Sequence, residues 1–404
     1  MPEYTITRIG LKGDGIAEGD IFVPFALPGE TYRGETINNQ LASAERLNDS
    51  PERTTPPCPH FGTCGGCTLQ HASDGFLAGW KADTISRALK AQGLEAGFRP
   101  ISTSPPASRR RATFSARRTR KTTQVGFHKR GSDEIFSLEE CPLLRPEILA
   151  ALPACHALAG LGAARKGEIK ISVTHSVAGP DIDVREAKAL DGPLRARLAA
   201  LAGEHGLARL GWNGELIADR THPVQIMGKA QILPPMGAFL QATEHGQMAL
   251  VAAMCEAVKG AKRVVDLFAG CGTFSLPLAE QAEVHAVEGQ ADMLQALDTG
   301  WRHGQGLKTV TTEVRDLFSR PLVPLDLRRF DAVVIDPPRA GAKAQMEQIV
   351  ASDIALVGAV SCNPVSFARD AKTLIDGGFT LDWVQPVDQF RWSGHVEIAA
   401  RFSR

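Results

Sequence analysis

Four of the eight cysteines in this 404-residue chain are spaced as a set. CPHFGTCGGC supplies Cys58, Cys64 and Cys67 in a C-x5-C-x2-C arrangement, and Cys141 follows in LEECPLL. Four thiolates converging on one centre suit a [4Fe–4S] cluster or an all-cysteine zinc site. Structural zinc more often uses paired C-x2-C knuckles, whereas this spacing is asymmetric. The C-x3-C-x2-C spacing of radical-generating clusters is absent. A fifth cysteine, Cys362, ends the apolar run in AVSCNPVSFARD and is followed at once by Asn363 and Pro364. By residue type alone it is either a buried structural thiol or a nucleophile at a strand end.

A second group of residues points to a nucleoside ligand. VVDLFAGCGTFSLPLA reads as an apolar strand, a glycine turn and a helix start. Gly270 and Gly272 let backbone approach a ligand beside a helix N-terminus. The third glycine of a dinucleotide fingerprint would fall at Ser275, which counts against NAD or FAD. Glu288 ends the next strand, where a carboxylate can accept both ribose hydroxyls. Together these favour a nucleoside cofactor without a pyrophosphate. In DAVVIDPPRAG, Asp336 ends a later strand and two prolines stiffen the loop behind it.

A third group is basic. Ser108 to Arg130 carries nine Lys or Arg, including Arg109, Arg110, Arg111, Arg117 and Arg118, and no acidic residue. Phe114, Phe127 and His128 are interleaved with them. Arginines track phosphates and aromatics stack on unpaired bases, so this stretch is the candidate RNA surface.

These residues need elements to hold them. Residues 1–50 read as short alternating strands with close turns, hence a small barrel. That barrel is acidic, with eight Asp or Glu against four Lys or Arg. NDSPERTTPP reads as a linker, residues 76–90 have helical spacing, and 109–138 read as strands. From about residue 236, RVVDLF, EVHAVE, FDAVVID, ALVGAVSC and HVEIAARF alternate with helices near 290–303, 342–351 and 365–376. That alternation predicts an open, largely parallel α/β sheet covered on both faces. The expected domains are 1–50, 51–235 and 236–404. Lys plus Arg and Asp plus Glu both total 45, so net charge implies no partner. No signal pattern opens the chain and no apolar run approaches the ~18 residues of a membrane helix. The expectation is a cytoplasmic protein with no membrane contact.

DLFAGCGTFSLPLA, VEG, DPPRAG, SCNPVSFARD and GHVE stand in the order seen in bacterial RNA uracil-C5 methyltransferases, which residues 236–404 resemble. The resemblance implies a Rossmann-like class I methyltransferase domain that uses S-adenosyl-L-methionine. It assigns the nucleophile to Cys362 and the proton acceptor to Glu397, with cofactor contacts at Gln241, Phe268, Gly270, Thr273, Glu288 and Asp336. Asn363-Pro364 and the following helix would fix the loop and lower the Cys362 pKa. His395 is expected to orient or pack. The four-cysteine pattern, including CPLL, resembles the iron–sulfur branch of that family, in which a central α+β domain holds a [4Fe–4S] cluster on Cys58, Cys64, Cys67 and Cys141. The first fifty residues resemble the OB-like TRAM module. The branch most similar methylates 23S ribosomal RNA, with tRNA as the alternative substrate, and a monomer is expected. Two positions depart from the family: Thr273 replaces an Asn, and Phe390-Arg391-Trp392-Ser393 replaces Phe-Pro-x-Thr before GHVE.

Overall fold

The computed structural model describes residues 1–164 and 167–404. Strands Glu3–Ile9, Gly15–Ala17, Ile21–Val23, Gln40–Arg46 and Thr31–Ile37 close a barrel in that spatial order. Its interior is Ile6, Ala17, Val23, Ala26, Tyr32 and Leu41. At its base the buried Glu30 accepts from the backbone of Leu27 and from Tyr32, and Arg53 clasps it at 2.5 and 2.7 Å. Burial opposes that charge, but Arg53 and the other donors overcome it and hold the carboxyl at about 2.

A seven-stranded, mostly antiparallel sheet follows, with Arg111–Arg118 between Glu168–Thr174 and Thr123–His128. Helices Leu152–Gly162 and Gly192–Glu204 cover one face over a core that includes Phe114, Ile171, Leu158, Leu198 and Trp212. Gly162 is required there, because a Cβ would lie 2.3 Å from the Trp212 ring.

The third layer is an eight-stranded sheet. Its order is Val310–Val314, Glu283–Glu288, Arg263–Leu267, Ala332–Ile335, Leu356–Ser361, Glu397–Ser403, Thr380–Asp388 and Ser102–Thr103. The first five run parallel, and Glu397–Ser403 is antiparallel to both neighbours. The central parallel strands are largely apolar because each face carries its own core. No helix among the described residues is long and apolar enough to cross a membrane.

Packing does not divide the chain at residues 50/51 and 235/236. The helix Asp74–Lys90 puts Ile85 and Leu89 into the core beneath the parallel sheet, alongside Phe367 and Leu374. Two of its other buried residues, Leu77 and Trp80, meet Ile9 and Leu27 of the barrel. Ser102–Thr103 forms the sheet's edge strand, and the hairpin Gln225–Met227 with Ala230–Ile232 joins the opposite core. Two stretches read as central thus complete the C-terminal layer, whose apolar faces would otherwise be bare.

Candidate active site

Strand order reverses between Arg263–Leu267 and Ala332–Ile335, which opens a crevice at the carboxyl ends. A cavity of about 890 Å3 lies there, and Gln241, Phe268, Gly270, Thr273, Glu288, Asp336, Cys362 and Glu397 all line it. Gln241 and Glu397, 156 positions apart in the chain, therefore share one pocket.

On one side stands the glycine turn. Phe268 adopts φ +62°, a strained value for a non-glycine residue, and aims its ring at Phe318, 5.4 Å away. Gly270 has φ +54° with nothing within 4 Å of where a Cβ would sit, so backbone faces open pocket. Gly272 has no such latitude, because a Cβ would meet Leu297 at 2.8 Å. Glu288 accepts from the backbone N–H of Gly270 at 3.1 Å and of Gln290 at 3.0 Å. Ser275, which stands where a dinucleotide fold wants glycine, is fully buried and donates to Asp266 at 2.5 Å. The helix after the turn is only Ser275–Leu278, so it supplies a much weaker dipole than the sequence reading assumed. Phe318 and Asp316 also line the pocket. They were missed because the strand before them, Val310–Val314, is short and largely exposed.

On the other side stand the thiol and the carboxyl. The last antiparallel pair is Ser361 with Ile398, so one step further places Cys362 opposite Glu397. Asn363 caps the helix Pro364–Asp376 by accepting from Val365 N–H at 3.0 Å, and donates to the Arg339 carbonyl at 3.0 Å. Ser366 donates to the same carbonyl, and Asp370 accepts from Ala342 N–H. The Asp336-Pro-Pro loop and the cysteine loop are therefore one rigid unit.

Electrostatics correct one expectation. The Cys362 thiol is raised, not lowered: burial and the neighbouring carboxyls of Glu397 and Asp336 outweigh Arg339. Burial and Asp336 push Glu397 up to about 8 against the opposing Gln389 and Arg339, and burial alone pushes Asp336 up to about 7. His395 contacts Arg339 through Nδ1 at 3.2 Å and lines the pocket.

A second cavity, of about 140 Å3, is lined by Cys58, Cys64, Cys67 and Cys141, the four thiols of the sequence pattern. Gly66 N–H points at the Cys64 sulfur at 3.4 Å. No three His, Cys, Asp or Glu side chains among the described residues are grouped to hold one metal ion. Gly66 and Arg109 belong to the walls of both cavities.

The arginine stretch does not form one surface. Arg110 is 2% exposed and donates to the Gln241 carbonyl and to Gln247, so it cannot reach RNA. Arg111 donates to the Leu240 carbonyl and lies over the Phe239 ring. Arg117 is paired with Glu168, a residue distant in sequence that neutralises it. Arg118 is exposed. Phe114 points into the core by strand alternation and offers no stacking face.

The fold and pocket define a class I methyltransferase with a small N-terminal barrel. A solved structure of similar architecture is the Pyrococcus abyssi tRNA (uracil-54, C5)-methyltransferase in complex with S-adenosyl-L-homocysteine, with TM-score 0.77 and 21% identity over 99% of each chain. Residues 304–404 match the family model for tRNA (Uracil-5-)-methyltransferase. An uncharacterized RNA methyltransferase of Mesorhizobium japonicum is 44% identical over 98% of this chain and 97% of its own length. One from Caulobacter vibrioides is 42% identical over the full length of both. The chain belongs to this family of RNA methyltransferases.

Proposed function

We propose that this enzyme transfers a methyl group from S-adenosyl-L-methionine to C5 of a uridine in RNA, through a covalent adduct on Cys362. The observation that carries the reading is the pairing of Cys362 with Glu397 across two strand ends, inside the cavity that holds Glu288 and Asp336. Gly270, Glu288, Phe268, Gln241, Thr273 and Asp336 would hold the cofactor, whose sulfonium supplies an electrophilic methyl when bound. Uracil C5 is too weak a carbon nucleophile to react unaided. The Cys362 thiol gives its proton to solvent and the thiolate adds to C6, which leaves an enolate with electron density at C5. Once methylated, C5 still carries its original hydrogen. The Glu397 carboxylate takes that proton, the C–H electrons form the C5=C6 bond, and the C6–S bond breaks to return the thiolate.

Cys58, Cys64, Cys67 and Cys141 would bind a [4Fe–4S] cluster. A lone zinc ion draws four sulfurs to within about 2.3 Å of one point. The asymmetric four-thiol pattern and its resemblance to the iron–sulfur branch favour the cluster, and the four thiols line one cavity, with a backbone donor at Cys64. Its contribution here would be to brace the segment that also walls the active site.

The substrate reading is 23S ribosomal RNA, on the four-thiol pattern. A tRNA substrate is the second reading, favoured by the substrate of the Pyrococcus abyssi enzyme that shares the fold. Mass mapping of modified nucleosides in rRNA and tRNA from a deletion strain decides between them. Loss of one 5-methyluridine in 23S rRNA is expected; loss confined to tRNA establishes the alternative, and no loss in either overturns the function.

A further inference from the structure

Two carboxyl groups that line the active site are joined by two buried amides. Glu397 Oε1 accepts from Gln389 Nε2 at 3.3 Å. The same nitrogen donates to Gln241 Oε1 at 2.5 Å, and Gln241 Nε2 donates to Asp336 Oδ2 at 3.4 Å. Direction along this chain is set by the backbone. Ala242 N–H donates to Gln389 Oε1 at 2.8 Å, so the oxygen is used and only the NH2 end can face the site. Gln389 is also only 2% exposed and packs so closely on Gly246 that a Cβ there would lie 2.7 Å from its own Cβ. A glutamine held at both ends in a dry site is there to orient something.

We propose that Gln389 is a positioning residue that holds the Glu397 carboxylate in register with the cofactor-side pair Gln241–Asp336, so that proton removal from C5 depends on its amide. The proposal rests on the reaction assigned above and adds a residue to it. A hydrogen bond donated to a carboxylate favours the charged form, which is the form a base needs. The other groups facing Glu397 are Asp336 and Arg339 from the Asp-Pro-Pro loop, Cys362 from the adjacent strand end and His395 from its own segment. Asp336 disfavours the carboxylate and Arg339 favours it. Gln389 is neutral and donates to Glu397 directly, so its removal leaves charge count unchanged and isolates orientation and hydrogen bonding.

The test is Gln389→Met, which keeps length and volume and deletes the donor. Single-turnover reactions on RNA should show cofactor binding within about twofold of wild type and undiminished adduct formation. Release of methylated RNA should slow by about tenfold or more, with covalent complex accumulating and the pH midpoint for release moved upward. An unchanged release rate and midpoint overturns the proposal. So does a loss of cofactor binding and adduct formation in parallel, which marks a packing role only. Gln389→Glu covers the case in which the methionine variant does not fold. Its carboxyl repels Glu397 once ionised instead of donating to it, so the pH midpoint for release should move upward further still; a wild-type profile there also overturns the proposal. Wild-type protein run beside both with 5-fluorouridine RNA keeps the two readings apart. Absence of a wild-type adduct on Cys362 counts against the reaction itself, not against Gln389.

Discussion

Lys81 Nζ lies 2.6 Å from Asp388 Oδ1, and both side chains are buried. This pair joins the helix Asp74–Lys90 to the end of the strand Thr380–Asp388, at the threshold of the altered segment Phe390-Arg391-Trp392-Ser393. Lys81 also donates to the Phe390 carbonyl at 3.2 Å, and Asp388 accepts from Phe390 N–H at 3.0 Å. Burial lowers the lysine pKa while Asp388 opposes that shift. Further along, the Trp392 carbonyl accepts from Thr68 and Leu69 N–H, directly after Cys67. Trp392 itself packs on Ile9, Leu27 and Trp80 with φ +59°. The departure from Phe-Pro-x-Thr is thus an anchor between barrel, thiol segment and pocket.

Lys81→Ala leaves Asp388 charged, buried and alone. The expected cost is about 3–5 kcal/mol, read from denaturant unfolding. Lys81→Ala combined with Asp388→Asn should recover part of it, because the uncompensated charge is gone. Equal losses in the single and double variants would mean that the pair contributes through packing alone.

The arginines separate into two classes with opposite readouts. Arg110→Ala strips a buried donor from Gln247 and from the Gln241 carbonyl, so it should destabilise the protein by about 1–3 kcal/mol. Replacing the exposed Arg118 and Arg120 by Ala should leave unfolding unchanged while weakening RNA binding and flattening its salt dependence by about one to two counterions. An unchanged salt slope would place RNA on another face.

The contrast between these classes marks where sequence reading succeeds. The parallel strands were legible because short apolar runs such as AVVI, which ends at Asp336, have few other uses. Site residues at their ends came with them. Arg110 was misassigned because its partners, Gln241 and Gln247, lie 131 and 137 positions away and leave no local trace. Gln389 was invisible for the same reason, since its role is defined by Ala242, Gln241 and Glu397 together. The raised Cys362 thiol could not be read either: the local helix argues for a lower pKa, and only the fold brings Glu397 and Asp336 beside it.

For the four-thiol cavity, protein purified without oxygen should be brown and carry about four irons per chain. Cys67→Ser should lose the iron while cofactor binding persists. Burial holds the Cys67 thiol up at about 12 without metal, and ligation needs thiolates, so loading should release protons and weaken in acid. One zinc per chain and no iron would establish the other centre.

The two roles proposed for Cys362 and Glu397 are separable by trapping. Cys362→Ala should bind RNA and cofactor yet give neither product nor adduct. Glu397→Gln should permit attack and methylation but stall elimination, leaving protein joined to methylated RNA as a slow band on a denaturing gel. Wild type should form a comparable adduct with 5-fluorouridine RNA, since fluorine cannot leave as a cation. Because the base must leave its stack to reach a strand-end thiol, unpaired target uridines should react fastest. Peptide mass spectrometry locates the link, and an adduct on another cysteine would sink the assignment.

The same carboxyls make the fold pay for its chemistry. Burial raises Asp266 and Asp336 to about 7, and burial with Asp336 raises Glu397 to about 8, from ordinary values of 3.8, 3.8 and 4.5. An acid whose folded pKa lies above its unfolded one binds more protons when folded. Stability therefore falls as pH climbs from the unfolded value through the folded one, at up to about 1.4 kcal/mol per pH unit per group. Below about pH 4 the three are protonated in both states and carry no penalty; above about 8 the penalty is complete. Unfolding measured from pH 5 to 9 in cofactor-free protein should show this decline. Glu397→Gln, neutral at every pH and of the same shape, should flatten its upper part and exceed wild type in stability at pH 8.5. If the variant instead tracks wild type through that range, Glu397 is already ionised at neutral pH, and its environment stabilises the charge the reaction uses.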